Sequence, residues 1–348
     1  MASDGRRPFR LRLEDAVALA FFLITLGLRI FLRGFRHASL SPTDVLVIIP
    51  AVCLLLAKEL VHYFFVGKQA SLEPAESLGS FVRPYWEIVR DWFPFLVILM
   101  MYYSLWGDAT HLLISHDRDS LLIAMDQKLF GVQASVALER FVSPALTGWM
   151  SFAYFFHLLN IPIVACFIYV QRPRRCFREM MSGVLLVSFF GILGYLLVPA
   201  IGPLYTLRDQ YTVPLSEPLS IFNRQLDFMD FARIRRDVFP SLHAGLSFLL
   251  WLYAYRNSRK LFWILAPFVL SLWVSTVYLR YHYLVDVLAG LILAPPTYWL
   301  ANWLFRRFGE IEVPTLFPAV WLERLPKLGA SALSRPAPQA PDKVVDQP

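Results

Sequence analysis

The sequence predicts an all-α, polytopic membrane helical bundle with about eight transmembrane helices, and three observations carry that prediction. Of 348 residues, 57% are hydrophobic and 16% aromatic while only 17% are charged, a balance too apolar for a soluble domain of this length. Apolar runs long enough to cross a bilayer recur along the chain. The Lys and Arg residues behind the net charge of +7 sit in short clusters between those runs rather than along one face, a pattern of membrane topology and not of nucleic-acid binding.

Taken in order, the candidate spans are residues 16–32, 45–66, 92–106, 150–170, 180–199, 242–255, 261–279 and 284–304. The first follows Arg6, Arg7, Arg10 and Arg12, as a signal peptide or twin-arginine signal would. It is long for a signal h-region and lacks a small-x-small cleavage site, so it is expected to be retained as a helix. The third and sixth are short, and they gain length from interfacial aromatics such as Tyr85, Trp86 and Phe239. Within the second, Lys58, Glu59 and His62 form a polar group at helical spacing, read as packing against the bundle or snorkelling.

With the N-terminus inside, the basic stretches 6–12, 171–178 and 256–260 and the Arg306–Arg307 pair all fall on the cytoplasmic side; Arg33 and Arg36 dissent. Both termini are then cytoplasmic, and the two long connections, 107–149 and 200–241, face outward. An apolar stripe at Leu121, Leu122, Met125, Leu129 and Phe130 reads as an interfacial helix, with a packed lid as the alternative. The expected organisation is an N-terminal helix pair (1–90), a six-helix core (91–307) and a tail (308–348), disordered from about Ser331, where prolines accumulate. Cys53, Cys166 and Cys176 show neither C-x-x-C pairing nor Cys/His ligand spacing, so no disulfide and no zinc are expected.

The chemistry lies in two histidine-bearing segments, RRDVFPSLHAG (235–245) and STVYLRYHYLVDVLAG (275–290). One helix runs in from His243 and the next runs back out to His282, so both rings land at the same membrane face. Titratable groups there are costly unless they face a cavity or a partner. His282 and Asp286 are four apart, so the carboxylate can accept from one ring nitrogen and leave the other as the better nucleophile. Helix N-termini at His282 and at Ser241–His243, after Pro240, favour a bound phosphate. Two histidines and an aspartate are also legitimate zinc or iron ligands, which keeps a metal site open as the competing reading.

At these residues the chain resembles the type 2 phosphatidic acid phosphatase superfamily, and within it the inositol phosphorylceramide synthase branch. FPSLHAG is similar to that branch's FPSLHSG-like motif and HYLVD to its HYFVD-like motif, and the resemblance extends over roughly residues 90–306, including GYLLVPAIGPLY (194–205). The resemblance implies a six-helix catalytic core in which His282 attacks phosphorus to form a phosphohistidine. Asp286 would support it and His243 would protonate the leaving oxygen, with no metal requirement and no cofactor. Partners would be a membrane phospholipid donor and a lipid or alcohol acceptor, with no nucleic acid.

The wider superfamily has PSGH, an Arg six residues before the second histidine and an upstream Lys-x6-Arg-Pro motif. This chain has Leu242, Thr276 and no convincing upstream match. Phosphoryl transfer needs its equatorial oxygens neutralised, so Ser241, Arg280, Arg236 and Arg235 are the candidates for phosphate binding, against flanking interfacial charge for the arginines. Gly194, Pro199, Gly202 and Pro203 are expected to turn the chain over the site, with Tyr205 bordering the pocket. The leading reading is a lipid phosphotransferase with its site on the outer or lumenal face. A lipid phosphatase differs only in that water attacks, and a transporter or scaffold using a proton relay comes from another class.

Overall fold

The computed structural model describes residues 12–34, 49–61, 78–103, 114–216 and 236–309. Helices occupy all eight expected positions: α1 (Leu13–Gly34), α2 (Ile49–Val61), α3 (Leu78–Tyr103), then, after α4 (Asp119–Phe130), α5 (Pro144–Gln171), α6 (Arg174–Leu197), α7 (Leu242–Asn257), α8 (Arg259–Tyr278) and α9 (Leu284–Phe308). Among the described residues no strand is present. The expected disordered tail, His62, Arg36 and Arg235 lie outside the described residues.

By length and apolarity, α5, α6, α8 and α9 qualify as membrane spans. The pair Asp119–Phe130 and Ala134–Phe141, bent by 64°, would add a fifth. At 16 residues, α7 extends only about 24 Å at 1.5 Å per residue, short of a bilayer core of roughly 30 Å. Its first turn, which carries His243, is level with the start of α9, where the Ser241 N–H reaches the Asp286 carbonyl at 3.0 Å.

Several helices begin earlier than hydropathy alone predicts, because charged residues are paired inside the bundle. The third span was expected from Trp92, yet α3 starts at Leu78. Its Glu87 and Asp91 receive Arg12 at 3.1 and 2.8 Å. Arg178 of α6 forks onto Glu14 of α1 at 2.7 and 3.2 Å. Lys58 of α2 meets Asp15 at 2.6 Å, which is the packing expected of it. Arg256 holds Glu179 through two 3.0 Å bonds. These pairs join α1, α2, α3, α6 and α7 at one end of the bundle, where the apolar surroundings make each partner indispensable to the other.

The opposite end is set by hydroxyl caps and by glycine. Ser143 accepts from Leu146 at the start of α5, and Ser241 accepts from Ala244 at the start of α7. Pro240 therefore precedes the cap instead of sitting in the first turn as expected. Helices α7 and α9 cross backbone against backbone: a Cβ on Gly290 would stand 2.2 Å from the Ser241 carbonyl oxygen, and one on Gly245 3.1 Å from the Gly290 carbonyl oxygen. Gly290→Ala is expected to destabilise the protein by about 1–3 kcal/mol and to lower activity by displacing Ser241. Thermal unfolding in detergent checks this, with Gly27→Ala, where nothing lies within 4 Å, as the silent comparison.

Candidate active site

The two histidine segments are joined through their backbones. The Ser241 N–H donates to the Asp286 carbonyl at 3.0 Å, which fixes the start of α7 on the first turn of α9. Between α8 and α9 the chain folds back, with the N–H groups of Tyr281 and His282 both donating to the Thr276 carbonyl at 3.0 Å. His282 thus lies in the turn before α9 and not on the helix itself. Its Nε2 faces His243 Nδ1 at 3.3 Å, and its Nδ1 faces Asp286 Oδ2 at 3.6 Å, too long for a hydrogen bond at rest. Asp286 Oδ2 instead accepts the Tyr283 N–H at 2.8 Å. Burial pushes the His282 imidazole down to about 3, which leaves it neutral at physiological pH with a lone pair for attack.

The α9 N-terminus, expected to cradle phosphate, is already occupied. Asp126 of α4 accepts from Val285 at 2.8 Å and Leu284 at 3.0 Å, and Asp286 takes Tyr283. Asp119 completes this bracket, accepting from Gly202 at 2.8 Å, Ile201 at 3.0 Å and the Tyr283 hydroxyl at 2.9 Å. Helix α4 therefore turns the expected pattern inside out: Leu121 and Leu129 are exposed while Asp119, Leu122 and Asp126 are buried. Its carboxylates grip the turn that carries His282, and Leu121 and Leu129 face outward, as suits a helix lying at a lipid interface.

The other expected site residues divide. Arg280 sits in the left-handed region at φ 68, pairing with Glu139 at 3.3 Å, donating to the Val213 carbonyl at 2.5 Å and lying 3.9 Å over the Tyr211 ring. It shapes the turn that presents His282. Thr276, where the wider family has arginine, is buried and donates to the Trp273 carbonyl at 2.8 Å. Arg236 pairs with Asp117 at 2.9 Å. Next to it, burial raises Asp237 to about 6. Tyr205 is 42% exposed in a short helical turn, Pro203–Thr206. That turn is anchored where Gly202, at φ 92, packs against the Tyr281 carbonyl and Leu204 donates to the Arg280 carbonyl at 2.7 Å.

The structure adds residues that the sequence reading passed over. His157 and Tyr154, one turn apart on α5, both lie against His243, with ring centroids 4.4 and 4.6 Å away, and Tyr154 also meets Tyr281 at 4.7 Å. His157 was hidden in the apolar run SFAYFFHLLNIP; the available signal was its recurrence with Ser151, Tyr154 and Asn160 at helical spacing. Among the described residues no group of three or more His, Cys, Asp or Glu side chains is arranged to hold a metal ion.

A helical membrane bundle with a histidine pair beside a carboxylate fits the class of integral membrane proteins that act on lipid phosphates. The family model of the PAP2 superfamily matches residues 120–300, a span that contains both histidine segments and Asp126 of α4, and the chain belongs to that superfamily. Phosphoinositol dihydroceramide synthase of Bacteroides thetaiotaomicron is 27% identical over 216 residues, covering 55% of this chain and 68% of the relative. That likeness lies with the inositol phosphorylceramide synthase-like branch. No solved structure matches the chain. The chain is thus a membrane enzyme acting on lipid phosphates.

Proposed function

We propose that this enzyme is a lipid phosphotransferase that moves a phosphorylated polar headgroup, of inositol phosphate type, from a phospholipid to a lipid alcohol through a phosphohistidine on His282. The observation that carries the reading is the pairing of His282 Nε2 with His243 Nδ1 at 3.3 Å, with Asp286 standing at the other ring nitrogen. The relative's own name, phosphoinositol dihydroceramide synthase, names the joining of a headgroup to a lipid alcohol and so favours transfer over hydrolysis.

In the first half-reaction His282 Nε2 attacks the phosphorus of the donor phosphodiester. A P–N bond forms, the P–O bond to the lipid alkoxide breaks, and His243 protonates that oxygen. The anionic phosphate favours the imidazolium form of His243 needed for this step. Attack places positive charge on His282, which Asp286 then stabilises through Nδ1–H. In the second half-reaction the acceptor hydroxyl gives its proton to His243 and its oxygen attacks phosphorus; the P–N bond breaks and His282 is restored. Arg236, released from Asp117 by the incoming anion, neutralises the equatorial oxygens, with Arg235 beside it in sequence. Ser241 orients the α7 turn toward the phosphate, and Tyr205 borders the entrance.

The reading includes eight spans, with α3 and α5–α9 as the catalytic core, both termini cytoplasmic, and the site on the outer or lumenal face, because the basic stretches collect at the other end. Purified protein given headgroup-labelled phospholipid with and without a lipid alcohol tests it. Label is expected on the alcohol, unchanged by chelators. Release of water-soluble phosphate alone would make the enzyme a phosphatase, and loss of activity on chelation would restore the metal reading.

A further inference from the structure

The site of His243 continues inward as a polar stripe on α5 that the reaction above does not use. His157 touches the His243 ring, and Asn160 lies three residues further along the same helix face. Asn160 is 1% exposed, yet neither its amide nitrogen nor its amide oxygen has a hydrogen-bond partner. His157 Nδ1 is likewise shut off and unpartnered. On α6, antiparallel to α5, Ser188 is fully buried with an unpartnered hydroxyl. His157 precedes Arg172 by as many residues as Ser188 follows Pro173, so the two stand at one depth in the hairpin.

Leaving such groups unsatisfied inside a bilayer costs several kcal/mol each by the general scale, and native proteins do not leave them so without a use. The stripe offers donors and acceptors in close succession and carries no formal charge. It therefore suits a neutral hydroxyl or amide and not a phosphate. The adjacent α5 surface, Phe155, Leu158, Leu159 and Ile163, is exposed and apolar, as a wall against acyl chains would be.

We propose that His157, Asn160 and Ser188 form an intramembrane binding site for the uncharged polar end of the lipid alcohol acceptor, which holds its hydroxyl toward His243. The proposal rests on the transferase reading, since only a transferase needs a second lipid. It also places acceptor entry from within the bilayer along α5, separate from the headgroup approach past Tyr205.

Kinetics of the full-length enzyme with labelled phospholipid and short-chain dihydroceramide provide the first test. Asn160→Leu is expected to raise KM for the dihydroceramide about tenfold, the loss of roughly one well-formed hydrogen-bonded contact, and to raise KM for the donor far less. Ser188→Ala should move the same parameter in the same direction by a smaller factor, and Ile292→Ala, on the exposed face of α9, should move neither. Equal shifts in both KM values, or no shift in a folded Asn160→Leu protein, would overturn the proposal.

The second test needs no turnover. A photoactivatable dihydroceramide bearing its reactive group near the polar end is crosslinked to the wild-type chain, and labelled peptides are mapped. Label at 154–160 or around 188, reduced in Asn160→Leu, supports the site. Label elsewhere, or labelling indifferent to Asn160→Leu, overturns it and leaves these atoms merely hydrated. If the wild type only hydrolyses its donor, the transferase reading fails by itself, and the crosslink map still decides whether this stripe holds a lipid alcohol.

Discussion

Replacing His282 with alanine is expected to lower headgroup transfer by at least about four orders of magnitude and to abolish acid-labile phosphate on the chain. The imidazole is neutral, its Nε2 faces His243 at 3.3 Å, and the Asp286 carboxylate stands behind its Nδ1. Folding should survive, because the turn is held by backbone bonds to Thr276 and by the aspartate bracket and not by the ring. The measurement is rapid-quench labelling with donor lipid, read alongside size-exclusion behaviour. A phosphorylated His282→Ala protein would move the nucleophile to another residue.

Asp286→Asn should cost about 10³- to 10⁴-fold in kcat with little change in thermal stability. The amide oxygen can still accept the Tyr283 N–H, so the start of α9 remains capped. What is lost is the charge opposite His282 Nδ1. The amide oxygen that keeps the Tyr283 N–H is also the atom at His282 Nδ1, so a neutral oxygen replaces the carboxylate that would stabilise the imidazolium formed by attack. Asp286→Ala would add the loss of that cap, so its melting temperature should fall where that of Asp286→Asn does not. Equal activity in Asp286→Asn and wild type would show that the carboxylate serves only α9.

Much of this arrangement was legible in the chain, for physical reasons particular to each residue. His243, His282 and Asp286 stood out because titratable groups at the ends of apolar runs demand an explanation, and the i,i+4 spacing supplied one. The helices were visible as apolar runs, but α3 and α6 were read short because Glu87, Asp91, Arg178 and Glu179 look like loop residues until their partners are known. Arg280, two residues before His282, offered either a phosphate ligand or flanking interfacial charge; its partner Glu139 lies 141 positions away, a distance that periodicity cannot bridge. Asp119 and Asp126 were overlooked because an amphipathic stripe directs attention to its leucines. In a lipid setting the buried face can be the polar one.

The ion pairs at the basic end also govern how the protein comes to exist. Glu14 enters the membrane region with α1, but its partner Arg178 lies 164 positions later. At about 5–20 residues per second of synthesis, roughly ten to thirty seconds pass before that charge arrives. Asp15 and Arg12 are matched sooner, by Lys58, Glu87 and Asp91. Helix α1 therefore gathers its partners one after another during biogenesis and keeps them, with Arg178 the last to arrive.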